Sequence, residues 1–217
     1  MIELLVKLVL AYLLGSVVGS LLLGLVGRVD VRASGSGNAG ATNALRTQGK
    51  AFALAVLAID IGKGVLAVTL LPALPWPDGG GVTGLAAAAL PFVCGAGAML
   101  GHVYPVFFGF RGGKGAATLF GVASPLVPGA VLPALAVWVA GIVLSGYVGI
   151  STILAALTLP VYVLVAYPEG LAGPAGAFAL AVFLFILYTH RNNVQRMFRG
   201  KENRFESAML LRRLRRR

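Results

Sequence analysis

Read from its amino terminus, the chain is a succession of long apolar runs separated by short polar or glycine-rich stretches. The runs lie at about 4–26, 51–73, 82–101, 116–144, 150–167 and 174–190. A helix that crosses a bilayer needs about 20 apolar residues, and most of these runs have that scale. They are rich in Leu, Ala and Val and show no alternation of apolar and polar positions. That argues against the ten-residue strands of an outer-membrane barrel. The pattern predicts an all-α polytopic membrane protein.

Composition narrows the class further. Of 217 residues, 58% are hydrophobic and only 12% charged, and the mean hydropathy is +0.89. Soluble domains usually carry about 25% charged residues, so too little polar surface is available to face water. A soluble enzyme, a disordered chain and a collagen-like fibre are excluded. The single cysteine, Cys94, permits no intrachain disulfide. It lies inside an apolar run, where a thiol behaves as a small hydrophobe. The chain opens Met1-Ile2-Glu3, which is not the basic start of a cleaved signal peptide, so the first run reads as a membrane helix.

Charge sets the expected topology. Ten of the 18 Lys and Arg residues, and two of the acids, lie in 190–217, a net of +8. Such a tail reads as a cytoplasmic end near anionic lipid; nucleic acid is not an expected partner. Loop 28–50 carries Arg28, Arg32, Arg46 and Lys50, loop 102–115 carries Arg111 and Lys114, and loop 74–81 carries neither Lys nor Arg. The positive-inside rule puts the first two in the cytoplasm, with 74–81 and the N-terminus outside. A cytoplasmic tail then requires an even number of crossings after Lys114. The run 116–144 must therefore be two short segments, broken at Ser124-Pro-Leu-Val-Pro-Gly129. The expectation is seven transmembrane helices, N-terminus outside and C-terminus cytoplasmic. They form one integral membrane domain over 1–204, followed by a basic cytoplasmic tail over 205–217. Four stretches then share the cytoplasmic face: 34–46, 101–115, 145–151 and 190–204.

Those stretches hold the candidate chemistry. The first reads Ser34-Gly-Ser-Gly-Asn-Ala-Gly-Ala-Thr-Asn-Ala-Leu-Arg46. Gly35, Gly37 and Gly40 allow the close backbone turns that gather N–H groups around an anion. Ser36, Asn38, Thr42 and Asn43 add neutral hydrogen-bonding groups, and Arg46 adds a forked cation. A plain linker needs neither two asparagines nor a following arginine. The second stretch places His102 before an aromatic turn, then Arg111, Gly112, Gly113, Lys114 and Gly115, a second candidate phosphate cradle. In the third, His190, Asn193 and Val194 share one face if helical, with Arg196 one turn on. By composition, that segment reads equally as a site element or as a basic helix holding lipid headgroups. Asp60 and Lys63, inside the second run, read as an ion pair facing the bundle interior.

Together these stretches resemble the bacterial acyl-phosphate:glycerol-3-phosphate acyltransferases of the membrane. That family's pattern is G-S-G-N-x-G-A-T-N-x-x-R, then G-H-x-x-P-x-x-x-x-F-K-G-G-K-G, then H-R-x-N-[IV]-x-R. All three occur here in order. The resemblance implies seven membrane helices in the bacterial inner membrane, with the motifs on the cytoplasmic face. It also implies acyl transfer from an acyl phosphate to the 1-hydroxyl of glycerol 3-phosphate, giving lysophosphatidic acid and phosphate. The implied partners are those two substrates and membrane lipid, and the protein is expected to act as a monomer. Two positions depart from the pattern. Arg111 replaces a lysine, and Gly149 stands where the family carries a serine. The hydroxyl contact is expected either to be lost or to be supplied by Ser145 or Ser151.

An acyl phosphate is already activated, so no enzyme nucleophile is required, and no cofactor or metal is expected. The two histidines, one cysteine and few acids form no evident ligand cluster. Backbone N–H groups near Ser36–Asn38 are the expected oxyanion donors. The donor's own phosphate is the expected base, with His190 the protein alternative. Glycerol 3-phosphate is assigned to Lys114 and Arg46, and the acyl phosphate to the Ser36–Asn43 side. Rival readings are an anion transporter and a non-catalytic lipid-binding subunit.

Overall fold

The computed structural model describes residues 1–206 and residue 209. Of the tail expected at 205–217, residues 207, 208 and 210–217 therefore lie outside the described residues. Ten α-helices and no strand occur among those described. In chain order they are α1 (Ile2–Gly15), α2 (Gly19–Gly27), α3 (Ala41–Thr47), α4 (Lys50–Ala73), α5 (Gly84–Val103), α6 (Ala116–Leu126), α7 (Pro128–Ser145), α8 (Val148–Ala166), α9 (Pro174–Thr189) and α10 (Arg191–Phe198). They fall into two compact units, Met1–Leu126 and the chain from Val127 onward.

Four helical segments are long and apolar enough to cross a membrane, and six if the bent pairs α1–α2 and α9–α10 each count as one. Helix α6 has 11 residues, which at 1.5 Å each is about 16 Å and shorter than a bilayer core. The run 116–144 breaks where the prolines predict: α6 ends at Leu126, and Pro128 opens α7 at a helix start that needs no proline N–H.

The first run departs from expectation. It reads as one helix over 4–26, but the chain breaks after Gly15 and resumes at Gly19 with a 45° bend. Freed backbone groups inside a membrane span need partners, and α4 supplies them. Lys63 Nζ donates to the carbonyls of Gly15 and Val17, each at 2.9 Å, and Asp60 Oδ1 accepts from Gly19 N–H at 3.0 Å. Lys63 and Asp60 pair at 2.9 Å, as their spacing suggests. The pair is built into the break.

A second buried pair works near the start of the same unit. Lys7 bonds Glu3 at 2.7 Å and donates to the carbonyls of Pro72 and Leu74, while Glu3 accepts from Val82 N–H. The 74–82 connection is thereby closed onto α1. Small residues let the helices meet at backbone range, as in other membrane bundles. A Cβ on Gly97 would lie 2.7 Å from the Leu8 carbonyl, and one on Gly64 would lie 2.7 Å from that of Thr118.

In the second unit, α7 and α8 form a hairpin through Gly146. This glycine adopts φ 73° and donates to Ile142, a left-handed helix stop. Trp138 Nε1 bonds Thr152 Oγ1 across the hairpin at 3.2 Å. Helix α9 packs on α8, and the chain bends 49° at His190 into α10.

Candidate active site

The first glycine-rich stretch is a closed loop, and Asn43 closes it. Its side chain is buried, its Oδ1 accepts from Ser36 N–H at 2.8 Å, and its Nδ2 donates to the carbonyls of Val31 and Ser34 at 2.8 and 3.0 Å. Asn43 spends its carboxamide on the loop backbone, where the sequence suggests a reacting group. Two of the expected oxyanion donors are also engaged: Ser36 N–H by Asn43, and Gly37 N–H by the Ser34 carbonyl. Gly35 and Gly37 adopt φ 63° and 71°, which makes this reversal possible. Gly40 precedes α3, Ser36, Asn38 and Thr42 are half-buried, and Arg46 is exposed on the last turn of α3. Ser20 Oγ fixes the loop from beneath by donating to Ala39 O at 2.6 Å.

The second stretch is folded back on the end of α5. Gly112 N–H donates to Val103 O and Gly113 N–H to His102 O, each at 3.1 Å. Arg111 is exposed, and Lys114 is half-buried immediately before α6. Gly115, at φ 88°, turns the chain into that helix, and its carbonyl accepts from Leu119 N–H. The open N–H groups of the first turn of α6 therefore follow directly on Lys114.

His102 sits differently from its place in the motif. It lies in the last turn of α5 and is only 2% exposed. Its Nδ1 meets Lys63 Nζ at 2.9 Å and Asp60 Oδ1 at 3.4 Å. A Cβ on Gly113 would collide with its Nε2. His102 is thus the third member of the buried charge cluster and a backing for the glycine loop. Its 39-residue separation from Lys63 kept this link out of reach of sequence spacing.

The first unit brings the two loops together. Phe108 packs against the cluster of Val18, Leu21 and Ala39. Arg32 Nη1 donates to Phe108 O at 3.1 Å and Arg111 O at 2.8 Å. Asp30 accepts from Arg32 Nε and Nη2, and from its backbone N–H at 2.9 Å. The hydrogen-bonded guanidinium holds the Asp30 carboxyl below the usual carboxylate range. The sequence signal for both residues is their place: Asp30-Val-Arg32 stands just before the first motif.

In the second unit, His190 is buried between α9 and α10. Its Nδ1 lies 2.9 Å from Ile186 O, so the neutral ring carries its proton on Nδ1 and Nε2 is the basic nitrogen. Asn193 Nδ2 donates to Glu202 Oε1 at 2.6 Å, and Arg196 Nε to Glu202 Oε2 at 2.7 Å. One carboxylate thus ties both motif residues to the segment after α10. A lone acid among the bases of 190–204 is the available signal. The 145–151 turn lies beside this segment: Phe205 N–H donates to Gly146 O at 2.8 Å, and Arg204 stacks on the Tyr147 ring.

The hydroxyls of the two serines are engaged locally. Ser145 Oγ donates to Gly141 O and accepts from Tyr147 N–H, while buried Ser151 Oγ donates to Tyr147 O. Both hydroxyls satisfy their own helix ends. Gly149 is itself covered, since a Cβ there would lie 2.7 Å from Asn193 Cβ.

A sequence model described as glycerol-3-phosphate acyltransferase matches residues 5–200. The chain belongs to the glycerol-3-phosphate acyltransferase family. It is 41% identical over 196 residues to the glycerol-3-phosphate acyltransferase of Actinobacillus succinogenes, covering 89% of this chain and 90% of the relative. It is 42% identical over 197 residues to that of Pasteurella multocida, covering 90% of each. Among solved structures it resembles PlsY, an integral membrane glycerol 3-phosphate acyltransferase. The glycerol 3-phosphate form aligns with a TM-score of 0.80 at 33% identity, over 93% of this chain and 95% of the other. The lysophosphatidic acid form aligns at 0.77 and 32%, with the same coverage.

Proposed function

We propose that the protein moves a fatty acyl group from an acyl phosphate to the 1-hydroxyl of sn-glycerol 3-phosphate. The hydroxyl oxygen bonds to the acyl carbon, the carbon–oxygen bond to phosphate breaks, and lysophosphatidic acid and inorganic phosphate result. The observation that carries this reading is the position of Lys114. It stands at the start of α6, behind a glycine loop whose N–H groups already bond the end of α5. A cation beside open helix N–H groups favours a phosphate dianion, each helix-end interaction contributing about 0.3–1 kcal/mol. Lys114 and exposed Arg46 are assigned to glycerol 3-phosphate. Ser36, Asn38 and Thr42 are assigned to the acyl phosphate, with Asn43 shaping their loop. The acyl chain stays in the bilayer, so no soluble lipid tunnel is needed.

Phosphate is a good leaving group, and its second pKa of about 6 suits it to take the hydroxyl proton itself. His190, basic at Nε2, is the protein alternative. The topology that fits the charge is seven membrane segments: α1–α2, α4, α5, α6, α7, α8 and α9–α10. The N-terminus is then outside, and the basic loops lie on the cytoplasmic side of the bacterial inner membrane. The working unit is a monomer.

The test uses purified protein in lipid with palmitoyl phosphate and glycerol 3-phosphate. Phosphate release should require both substrates and should be lost in Lys114→Ala. No release from palmitoyl phosphate, with glycerol 3-phosphate acylated instead from palmitoyl-CoA, would overturn the assigned donor.

A further inference from the structure

Residues 109–111 of the second loop take an unfavourable path. Gly109 and Phe110 are both left-handed, with φ 66° and 59°. For glycine this is unremarkable, but for phenylalanine it is unfavourable unless the surroundings impose it. Burial of the ring does not impose it, because Phe110 is 57% exposed. Hydrogen bonds do. Phe110 N–H donates to Pro105 O at 2.9 Å. The reversal also turns the carbonyls of Phe108 and Arg111 toward one guanidinium, that of Arg32.

Arg32 is well matched to this task. Nε and Nη2 form a two-pronged bond to Asp30, while Nη1 reaches the two carbonyls. A planar fork with five N–H donors can serve an aspartate on one edge and two carbonyls beside it. An ammonium with three donors in tetrahedral directions cannot hold the same set. Asp30 also accepts the Arg32 backbone N–H, fixing the start of the side chain as well as its end. The loop carrying Lys114 is thus gripped from two sides: its N–H groups by the last carbonyls of α5, its carbonyls by Arg32. Arg32 stands four residues before Ser36, and Arg111 three before Lys114.

We propose that Arg32, oriented by Asp30, is a positioning residue that joins the two glycine-rich loops and sets the placement of Lys114 for glycerol 3-phosphate. The inference rests on the assignment of Lys114 to that substrate. It predicts a defect in glycerol 3-phosphate binding from residues that need not touch it.

The experiment measures KM and kcat for glycerol 3-phosphate, at saturating palmitoyl phosphate, in wild type, Arg32→Lys, Arg32→Ala and Asp30→Asn. Thermal unfolding in detergent runs alongside. Losing one or two of these hydrogen bonds should raise KM about tenfold in Arg32→Lys, with kcat within about twofold and little change in Tm. Arg32→Ala should be worse, and methylguanidinium at millimolar concentration should recover part of its KM. Asp30→Asn, which keeps the shape and removes the charge, should show a smaller KM defect of the same kind. An unchanged KM in Arg32→Lys and Asp30→Asn, or a fall in kcat alone, would overturn the proposal. So would loss of KM in step with Tm and without guanidinium recovery, which marks Arg32 as a fold element only. Failure of the underlying assignment reads differently, as Lys114→Ala keeping wild-type KM for glycerol 3-phosphate.

Discussion

Lys63 Nζ lies 2.9 Å from His102 Nδ1 and joins the middle of α4 to the last turn of α5. The same ammonium holds the two carbonyls left open at the α1–α2 break and pairs with Asp60. Because Nδ1 faces Lys63 and Asp60, the imidazole turns Nε2 toward Gly113. A break in the first helix and the backing of the second glycine-rich loop therefore depend on one buried charge.

Removing that charge leaves Asp60 buried without its cation. Breaking a buried pair from one side costs about 3–5 kcal/mol, whereas replacing both members with apolar residues is often close to neutral. Lys63→Met should therefore lower the unfolding temperature in detergent strongly, and Asp60→Leu/Lys63→Met should recover part of the loss. The Gly15 and Val17 carbonyls stay unsatisfied in both, so recovery should be incomplete. A double variant less stable than Lys63→Met would contradict this account.

Asn43 offers a sharper chemical test, because Asn43→Asp changes no shape. It replaces two N–H donors with a carboxylate oxygen facing the carbonyls of Val31 and Ser34. An acceptor set against two acceptors forfeits both bonds and adds repulsion, so the loop should open at a cost of about 1–3 kcal/mol. Activity should fall at least tenfold in both Asn43→Asp and Asn43→Ala. Proteolysis should cut residues 34–40 faster than in wild type. Loss of activity without increased cleavage would return Asn43 to a direct role on the substrate.

Gly149 predicts the opposite of a gain. Gly149→Ser should not improve this enzyme, because the new Cβ meets Asn193 Cβ, which has no freedom to swing aside. Overpacking of this kind costs about 1–3 kcal/mol, and displacing Asn193 should also reduce kcat. Gly149→Ala should do the same as Gly149→Ser, because the fault is steric and not a matter of the hydroxyl. A Gly149→Ser enzyme more active than wild type would show that the turn relaxes to admit it.

What the sequence disclosed and what it withheld divide along physical lines. Helix class, the break near Pro125 and Pro128, and the Asp60–Lys63 pair follow from local patterns: apolar length, punctuation and i,i+3 spacing. The kink at Ser16–Val18 is marked in the run 4–26 only by the pairs Gly15-Ser16 and Gly19-Ser20. The groups that satisfy its freed backbone lie on α4, which spacing along the run does not disclose. Composition likewise gathers the polar residues of 34–46 without telling those that close the loop, such as Asn43, from those left for a ligand. In the sequence Arg32 is one positive loop charge among four and Glu202 one acid of the basic tail, because each acts through bonds to residues whose spatial placement only the fold supplies.

The proton acceptor can be separated by pH. If the donor phosphate is the base, it must be a dianion, so kcat should rise with pH through about 6, the second phosphate pKa. Asp30 adds no limb in that range. Its carboxyl is held below the usual carboxylate range, so the Asp30–Arg32 contact is intact above that range and is lost only as the pH falls through the lowered value. His190→Asn keeps a hydrogen-bonding group at the bend between α9 and α10 but cannot accept a proton near neutrality. It should retain the acid limb at the same pH, with kcat reduced by no more than about tenfold, while His190→Ala loses more because Ile186 O and Thr189 Oγ1 lose their ring partner. A pH–rate profile that goes flat in His190→Asn, with equal loss in both variants, would instead make Nε2 of His190 the base.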